Sequence, residues 1–347
     1  MKKIKVLMIG PARNVKGGMT TVIDNYYNVG LDKEIELKYV ESCNDKNILK
    51  KAIKEIKGYI EFKHYVKDYD IVHIHMASRR STFRKIRYIK TAKRLNKKVI
   101  VHIHGGGYSK FFDQECNEKK KKYIKKYLNK ADKIIVLSKE WKEYFSKILD
   151  NAKIEIIHNG VLLPSDYDKD LSNKNILFMG RINEKKGIYD LIKVISLLKK
   201  QYKDICLYVG GSGEEDRLKS IIKDYKLDEN IQMLGWINGV QKDELFRKCA
   251  FFVLPSYFEA MPMSVLEAMS YKCITISTEI GGIPQMIKSG ENGFLVKPGD
   301  VNSLYKILDE LLKNEDKRKE ISYNGRTTVE ENFDIKKGIS KIIELYK

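Results

Sequence analysis

At 347 residues and 43% hydrophobic content, the chain has room for two domains of about 170 residues, each with its own core. No apolar run approaches the roughly 18 residues of a membrane span, and nothing in the composition reads as disordered or fibrous. The charge of +20 is lopsided: residues 1–170 hold 38 Lys and Arg against 21 Asp and Glu, and residues 171–347 hold 28 against 25. That asymmetry points to an anionic partner for the first half, such as nucleic acid, a phospholipid surface or a phosphorylated substrate.

The start, "MKKIKVLMIG", has the basic head of a signal peptide, but Lys5 interrupts its short apolar part and no small-residue cleavage site follows. It reads as a buried first strand. Further strands are predicted at 35–40, 70–76, 98–105, 133–138 and 153–160, with helices at 18–29, 47–67, 81–96, 117–130 and 139–149 between them. Ile/Val-rich runs joined by helices predict a parallel sheet covered on both faces. Residues 161–174 lack apolar periodicity and read as a linker. The rhythm then restarts, with strands at 175–180, 205–211, 231–235, 250–255, 273–277 and 293–298, and ends in an amphipathic helix carrying Ile335, Ile339, Ile342, Ile343 and Tyr346. The fold class is α/β, with two doubly wound parallel-sheet domains in series. Two helices, 81–98 and 117–130, surround an apolar stripe with Arg and Lys, and their basic faces suit an anionic lipid surface. Five scattered cysteines without a C-x-x-C fit reduced thiols in cytoplasm rather than a disulfide framework or a zinc site.

In open α/β sheets ligands bind beyond the carboxyl ends of strands, so the residues after each strand are the ones to question. After the first come Gly17 and Gly18, ahead of a helix whose free amides suit a phosphate. The strands at 70–76 and 98–105 carry matching "HIH" units. A metal site there lacks a carboxylate or cysteine companion. The expectation is that two of His73, His75, His102 and His104 are buried, while His104, followed by three glycines, faces a cleft. In "MGRINEKKG", Arg181 and Lys186 are placed to clamp a diphosphate, or else Arg181 pairs with Glu184 on the surface. In "LPSYFEAMPMSVLEAMSYK", a helix beginning at Pro262 leaves the amides of Met263 and Ser264 free and puts Glu267 on the same face, about 5–6 Å deeper. A diphosphate on that helix tip would leave its ribose near Glu267 and its other substituent near Glu259.

At these residues the sequence resembles the retaining glycosyltransferases of family 4, which have the GT-B fold. The resemblance rests on the E-x7-E spacing of Glu259 and Glu267 followed by "AM", with "GRINEKKG", "GGIPQMIKSGENGFLV" and "HNGV" in order. It implies two Rossmann-like domains facing a cleft: residues 1–168 binding the acceptor, 169–332 binding a sugar nucleotide, and 333–347 a helix packing back on the first. Carried over to this chain, Arg181 and Lys186 neutralise the donor diphosphate, with Met263 and Ser264 giving amides to it. Glu267 holds the ribose and Glu259 a hydroxyl of the transferred sugar. Gly17 and Gly18 close over the donor, His104 stands near the anomeric carbon, and "GWING" (235–239) lines the base pocket. Three departures stand out: Pro262 where glycine is common, Tyr271-Lys272 in place of a small residue and glycine, and Gln285 in place of a glutamate.

The implied activity is retaining, metal-independent transfer of a sugar from a nucleotide diphosphate, with a UDP-sugar as the expected donor. No cofactor and no metal are expected; the D-x-D at 166–168 lies in the linker. The expected acceptor is an oligosaccharide or polyprenyl-linked glycan of capsule, exopolysaccharide or lipopolysaccharide assembly. The expected partner of the basic first half is an anionic membrane surface, placing the protein in cytoplasm on the inner face of the cell membrane. Nucleic acid is not expected, because it leaves the near-neutral second half with its phosphate-binding residues unexplained. A sugar-nucleotide epimerase, a basic nucleic-acid- or membrane-binding non-enzyme and a non-enzymatic sugar-nucleotide sensor stay open beside this reading.

Overall fold

A computed structural model describes residues 3–44, 48–150 and 153–347; the expected helix start at residue 47 lies outside them. The chain divides into two compact units, residues 1–162 with 335–347, and residues 163–334. The boundary falls a few residues before the one expected at 168/169. The cause is a set of polar anchors that tie the connecting segment to the second unit: Tyr167 Oη donates to Tyr271 O at 2.6 Å, Asp166 pairs with Lys272 at 2.6 Å, and Pro164 O accepts from Arg326. At the other end, Ile335 N donates to Val161 O, so the terminal helix Ile335–Tyr346 starts against the first unit rather than at residue 333.

The first unit is a six-stranded sheet of β1 (Lys5–Gly10), β2 (Glu36–Glu41), β3 (Ile71–Met76), β4 (Lys98–Ile103), β5 (Lys133–Val136) and β6 (Ile154–Ile156). All neighbours are parallel and their order is β2-β1-β3-β4-β5-β6. β3 is buried at every position, which is why it reads as an unbroken apolar run with histidines set into it. One face carries Val72, Ile74, Met76, Val99, Val101 and Ile103, packed under the helices Ile48–Tyr65, Arg80–Arg94 and Glu118–Leu128. The opposite face carries His73 and His75 toward Tyr26, on the helix Gly18–Asn28, and Tyr346 of the terminal helix. Ile86, Ile89, Ile124, Tyr127 and Leu128 are buried, so the helices Arg80–Arg94 and Glu118–Leu128 spend their apolar stripes on the core and turn mainly basic faces outward, with Tyr123 exposed among them.

The second unit repeats the architecture with β7 (Asn175–Met179), β8 (Cys206–Gly210), β9 (Ile231–Gly235), β10 (Phe251–Leu254), β11 (Ile274–Thr278) and β12 (Phe294–Val296). The order β12-β11-β10-β7-β8-β9 is again all parallel. In each unit the chain runs outward to one edge and then returns past its first strand. Direction therefore switches between β1 and β3, and between β7 and β10. The crevice outside such a switch point is where open α/β sheets take their ligands.

Charge divides by unit more sharply than by sequence half. The first unit holds 41 Lys and Arg against 19 Asp and Glu, the second 25 against 27.

Candidate functional site

In the second unit the loops after β7 and β10 are locked together at the switch point. Asn183 Oδ1 accepts from Lys186 N, closing a short turn over Glu184–Lys186. Gly187 leaves that turn at φ +70, and a Cβ there would lie 2.0 Å from Pro255 O, so only glycine lets the two loops approach this closely. Tyr257 N donates to Lys185 O at 2.8 Å and completes the tie. The lysine ammonium is thereby delivered to the other loop, where Lys186 Nζ pairs with Glu259 Oε1. Ser256 Oγ donates to the same oxygen at 2.9 Å. The Glu259 side chain is only 10% exposed, so these partners hold its charge out of bulk water.

The helix after β10 runs Met263–Ser270, one residue later than expected. Pro262 is its N-cap rather than its first turn, with ψ 124 in the extended region. Its missing N–H therefore lies outside the helix and removes no first-turn donor. Val265 N reaches Pro262 O, and the amides of Met263 and Ser264 are left facing out from the positive helix end by their position in the first turn. Val265, Leu266, Ala268 and Met269 are fully buried and seat the helix on the sheet. Glu267 stays on the outer face, where Lys242 Nζ pairs with its Oε1 at 2.8 Å. The helix tip thus lies between two carboxylate–ammonium pairs, Glu259–Lys186 before it and Glu267–Lys242 beyond its first turn.

Arg181, just past β7, is exposed and makes no ion pair among the described residues. Its sequence neighbour Glu184 is taken instead by Arg217 at 2.7 Å, so the alternative, a surface pair with Glu184, does not form. Around the site, glycines set the backbone. Gly282 N donates to Ala260 O, and a Cβ on Gly281 (φ +54) would lie 2.1 Å from Glu259 O. The "GGIP" segment is therefore a buttress under Glu259. The segment 235–239 places Ile237 in the core against Gly210 and leaves Trp236 40% exposed at the end of β9. Arg181, Lys186, Glu259, Glu267, Met263 and Ser264, singled out from the sequence, all lie on the loops and helix that follow β7 and β10. Sequence reasoning missed Lys242, Ser256 and the buttressing role of Gly281 and Gly282. The open cavity beside Tyr189, Arg217 and Tyr257 is not lined by Glu259, Glu267 or Arg181.

In the first unit, Gly17 is the N-cap of the helix Gly18–Asn28 at φ 152, ψ 164, a conformation that glycine alone takes comfortably, and it borders open space. Thr20 N and Thr21 N both reach back to Gly17 O, leaving the Gly18 and Met19 amides at the helix start. Three of the four histidines are buried, not two: His73, His75 and His102, with His104 half-buried. The third is lost to solvent because His102 lies directly across from His75 in the β3–β4 register, under the same covering helices. The rings form a ladder, with His102 and His104 4.1 Å apart between centroids and His75 Nδ1 2.8 Å from His104 Nε2. Nitrogens of His73, His75 and His102 come within 4.8 Å of one another, but neither a carboxylate nor a thiolate is part of that cluster. Burial pushes the His73 and His104 imidazoles down to about 3, and His75 and His102 well below their ordinary range, so all four are neutral at pH 7.

Comparison with known proteins follows the same division. Residues 163–328 match the family Glycosyl transferases group 1, and residues 42–163 match Glycosyltransferase Family 4. An uncharacterized glycosyltransferase of Haemophilus influenzae is 32% identical over 223 residues, 62% of this chain and 60% of that protein. The UDP-Gal:alpha-D-GlcNAc-diphosphoundecaprenol alpha-1,3-galactosyltransferase of Escherichia coli is 29% identical over 325 residues, covering 85% of this chain and 80% of the relative. Among solved structures, sucrose-phosphate synthase from Thermosynechococcus elongatus superposes with a TM-score of 0.84 at 18% identity, over 99% of this chain and 98% of its own. That likeness establishes the two-Rossmann GT-B architecture.

Proposed function

We propose, from the premise that this chain belongs to the group 1 glycosyltransferases, that it moves a sugar from a UDP-sugar to a hydroxyl of a growing, lipid-linked cell-surface glycan with retention of anomeric configuration. The observation that carries the reading is the helix tip at Met263 and Ser264, set between the Glu259–Lys186 and Glu267–Lys242 pairs, with Arg181 in the same loop as Lys186 and in no ion pair among the described residues. A diphosphate there meets outward amides and cationic side chains, while two carboxylates are left to grip diols.

In the proposed reaction the bond from the anomeric carbon to the diphosphate oxygen breaks, and a bond to the acceptor oxygen forms on the same face. The acceptor proton passes to the departing phosphate oxygen. Charge grows on that oxygen as it leaves, and Arg181, Lys186 and the helix amides stabilise it; such preorganised electrostatics is the large term in sites of this kind. Lys186 would turn from Glu259 to the phosphate, freeing Glu259 for a hydroxyl of the transferred sugar. Glu267 would take the ribose diol. In the first unit, His104 is neutral at pH 7 and would offer a ligand a hydrogen bond rather than a positive charge. With the diphosphate charge met by side chains, no divalent metal is required. The donor name carried by the Escherichia coli relative, a UDP-sugar acting on a diphosphoundecaprenol glycan, supports the choice of donor and acceptor class.

The test is a panel of sugar nucleotides offered with lipid-linked and free glycans. UDP release is followed with and without EDTA, and the product anomer is read by proton NMR. Release from a UDP-sugar in EDTA, with an axial product from an axial donor, is the expected outcome. An inverted product, or turnover that needs a metal, overturns the mechanism.

A further inference from the structure

We infer that the helix Ile48–Tyr65 is an in-plane anchor to an anionic bilayer. It carries an apolar stripe on its outer side: Leu49, Ile53, Ile56 and Ile60 are 75%, 52%, 60% and 62% exposed. Their spacings of four, three and four residues put them on one face of the helix. A surface helix ordinarily turns such a stripe to the core, and this one docks by its other side. There Gly58 sits so close to β2 that a Cβ would lie 2.1 Å from Glu41 O, Phe62 is fully buried, and Glu55 pairs with Arg84 at 2.7 Å. The stripe is therefore turned outward by packing that is satisfied without it.

Charge selects the occupant. Lys57 and Lys63 are exposed beside the stripe, and their long stems allow the ammonium groups to rise to headgroup level while the isoleucines go deeper. The helices Arg80–Arg94 and Glu118–Leu128 share the layer, and the three helices together hold 18 Lys and Arg against three acids. A second copy of the chain would bring the same excess of positive charge against itself, whereas anionic lipid neutralises it. No helix among the described residues is long and apolar enough to cross a membrane, so the contact is one that lies on the surface. The inference rests on the proposed lipid-linked acceptor only for its purpose, which is to hold the enzyme where such an acceptor resides.

The experiment is flotation of the purified full chain with vesicles of phosphatidylcholine alone or with phosphatidylglycerol, alongside a variant Leu49→Gln, Ile53→Gln, Ile56→Gln, Ile60→Gln. All four side chains are exposed and none carries charge, so fold and electrostatics are kept. The wild type is expected to float with the anionic vesicles only, and the variant to lose partitioning by about tenfold or more. Equal partitioning of variant and wild type, or a wild type that floats with neither vesicle, overturns the inference. So does light scattering that shows a wild-type dimer dissociated by the variant, because the stripe would then belong to a second copy. UDP release with a free, water-soluble glycan acceptor is measured on both proteins. Its absence from the wild type defeats the enzymatic reading while leaving the flotation result to stand alone, and its loss only in the variant exposes misfolding, in which case Ile56→Trp, read by the blue shift of its fluorescence on anionic vesicles, decides.

Discussion

The two units share one topology and use it in opposite electrostatic styles. In the first, the most basic part of the molecule, ionisable groups inside the fold are stripped of charge. His73, His75 and His102 are neutral by burial, and Lys85, 1% exposed with its Nζ 2.5 Å from Ser42 Oγ, is pushed well below the ordinary lysine range for the same reason. Its positive charge is all on the outside. In the second, nearly neutral overall, charges at the switch point are kept and paired, Lys186 with Glu259 and Lys242 with Glu267. A paired site can trade one partner for a ligand without leaving a buried charge exposed to nothing. A neutralised interior has no such exchange to offer. The contrast fits the proposed division, with diphosphate chemistry in the second unit and surface attraction in the first.

The largest effect that tests this division is on turnover. Lys186→Ala removes a cation from the proposed diphosphate and leaves Glu259, 10% exposed, with Ser256 as its remaining side-chain partner. UDP release is expected to fall about 10²–10³-fold, the usual cost of losing one preorganised stabiliser. Glu259→Ala should be comparably slow, and the double variant slower than either, because in the proposed reaction the two side chains part and act on different groups. Initial rates at saturating donor measure it. A Lys186→Ala enzyme within a few-fold of wild type would break the comparison at its centre.

A smaller effect, in the other unit, appears with acid. An imidazole that titrates at 6.5 in the unfolded chain and near 3 in the fold leaves the unfolded state binding more protons throughout that window. Stability is therefore complete above pH 6.5 and is lost as pH falls toward 3. For a single fully buried histidine such as His73 the loss at pH 5 is about 2 kcal/mol. Hydrogen exchange at pH 7.5 and pH 5 should show the first unit loosening before the second. His102→Leu removes a ring whose two nitrogens have no partner, and should flatten the acid slope. If both units loosen together, the contrast between them fails.

What the sequence disclosed follows from range. The twelve strands were legible because buried parallel strands are short Ile/Val-rich runs, "DIVHIHM" and "AFFVLP" among them. β6 was drawn too long, since "KIEIIHNG" pairs only over Ile154–Ile156 before Ile157 N turns to Val136 O. Arg181, Glu259 and Glu267 were legible because each follows a strand at a spacing that helix geometry interprets. Their partners were not: Lys186 and Glu259 are 73 positions apart, and the contact exists only because Gly187 lets two loops touch. The outward stripe of Ile48–Tyr65 was hidden for another reason. Periodicity shows that a helix has an apolar side, but not whether anything in the fold covers it.

The smallest effect concerns the residue the sequence did not reveal. Lys242 lies on the helix Gly239–Lys248, after β9, and reaches Glu267 across 25 positions of chain. Both side chains keep some contact with solvent, 24% for Lys242 and 14% for Glu267, so water can partly replace the lost partner. Lys242→Ala should leave turnover at saturating donor near wild type and raise the donor KM about tenfold, the roughly 1.4 kcal/mol of a charge-assisted hydrogen bond in a half-wet setting. Uridine and UDP should weaken by the same factor if Glu267 grips the ribose, whereas inorganic diphosphate should not. Weakening of UDP and inorganic diphosphate with uridine unchanged would place Lys242 at the phosphates instead and move the ribose away from Glu267. That outcome would redraw the second unit's site while leaving its paired-charge style intact.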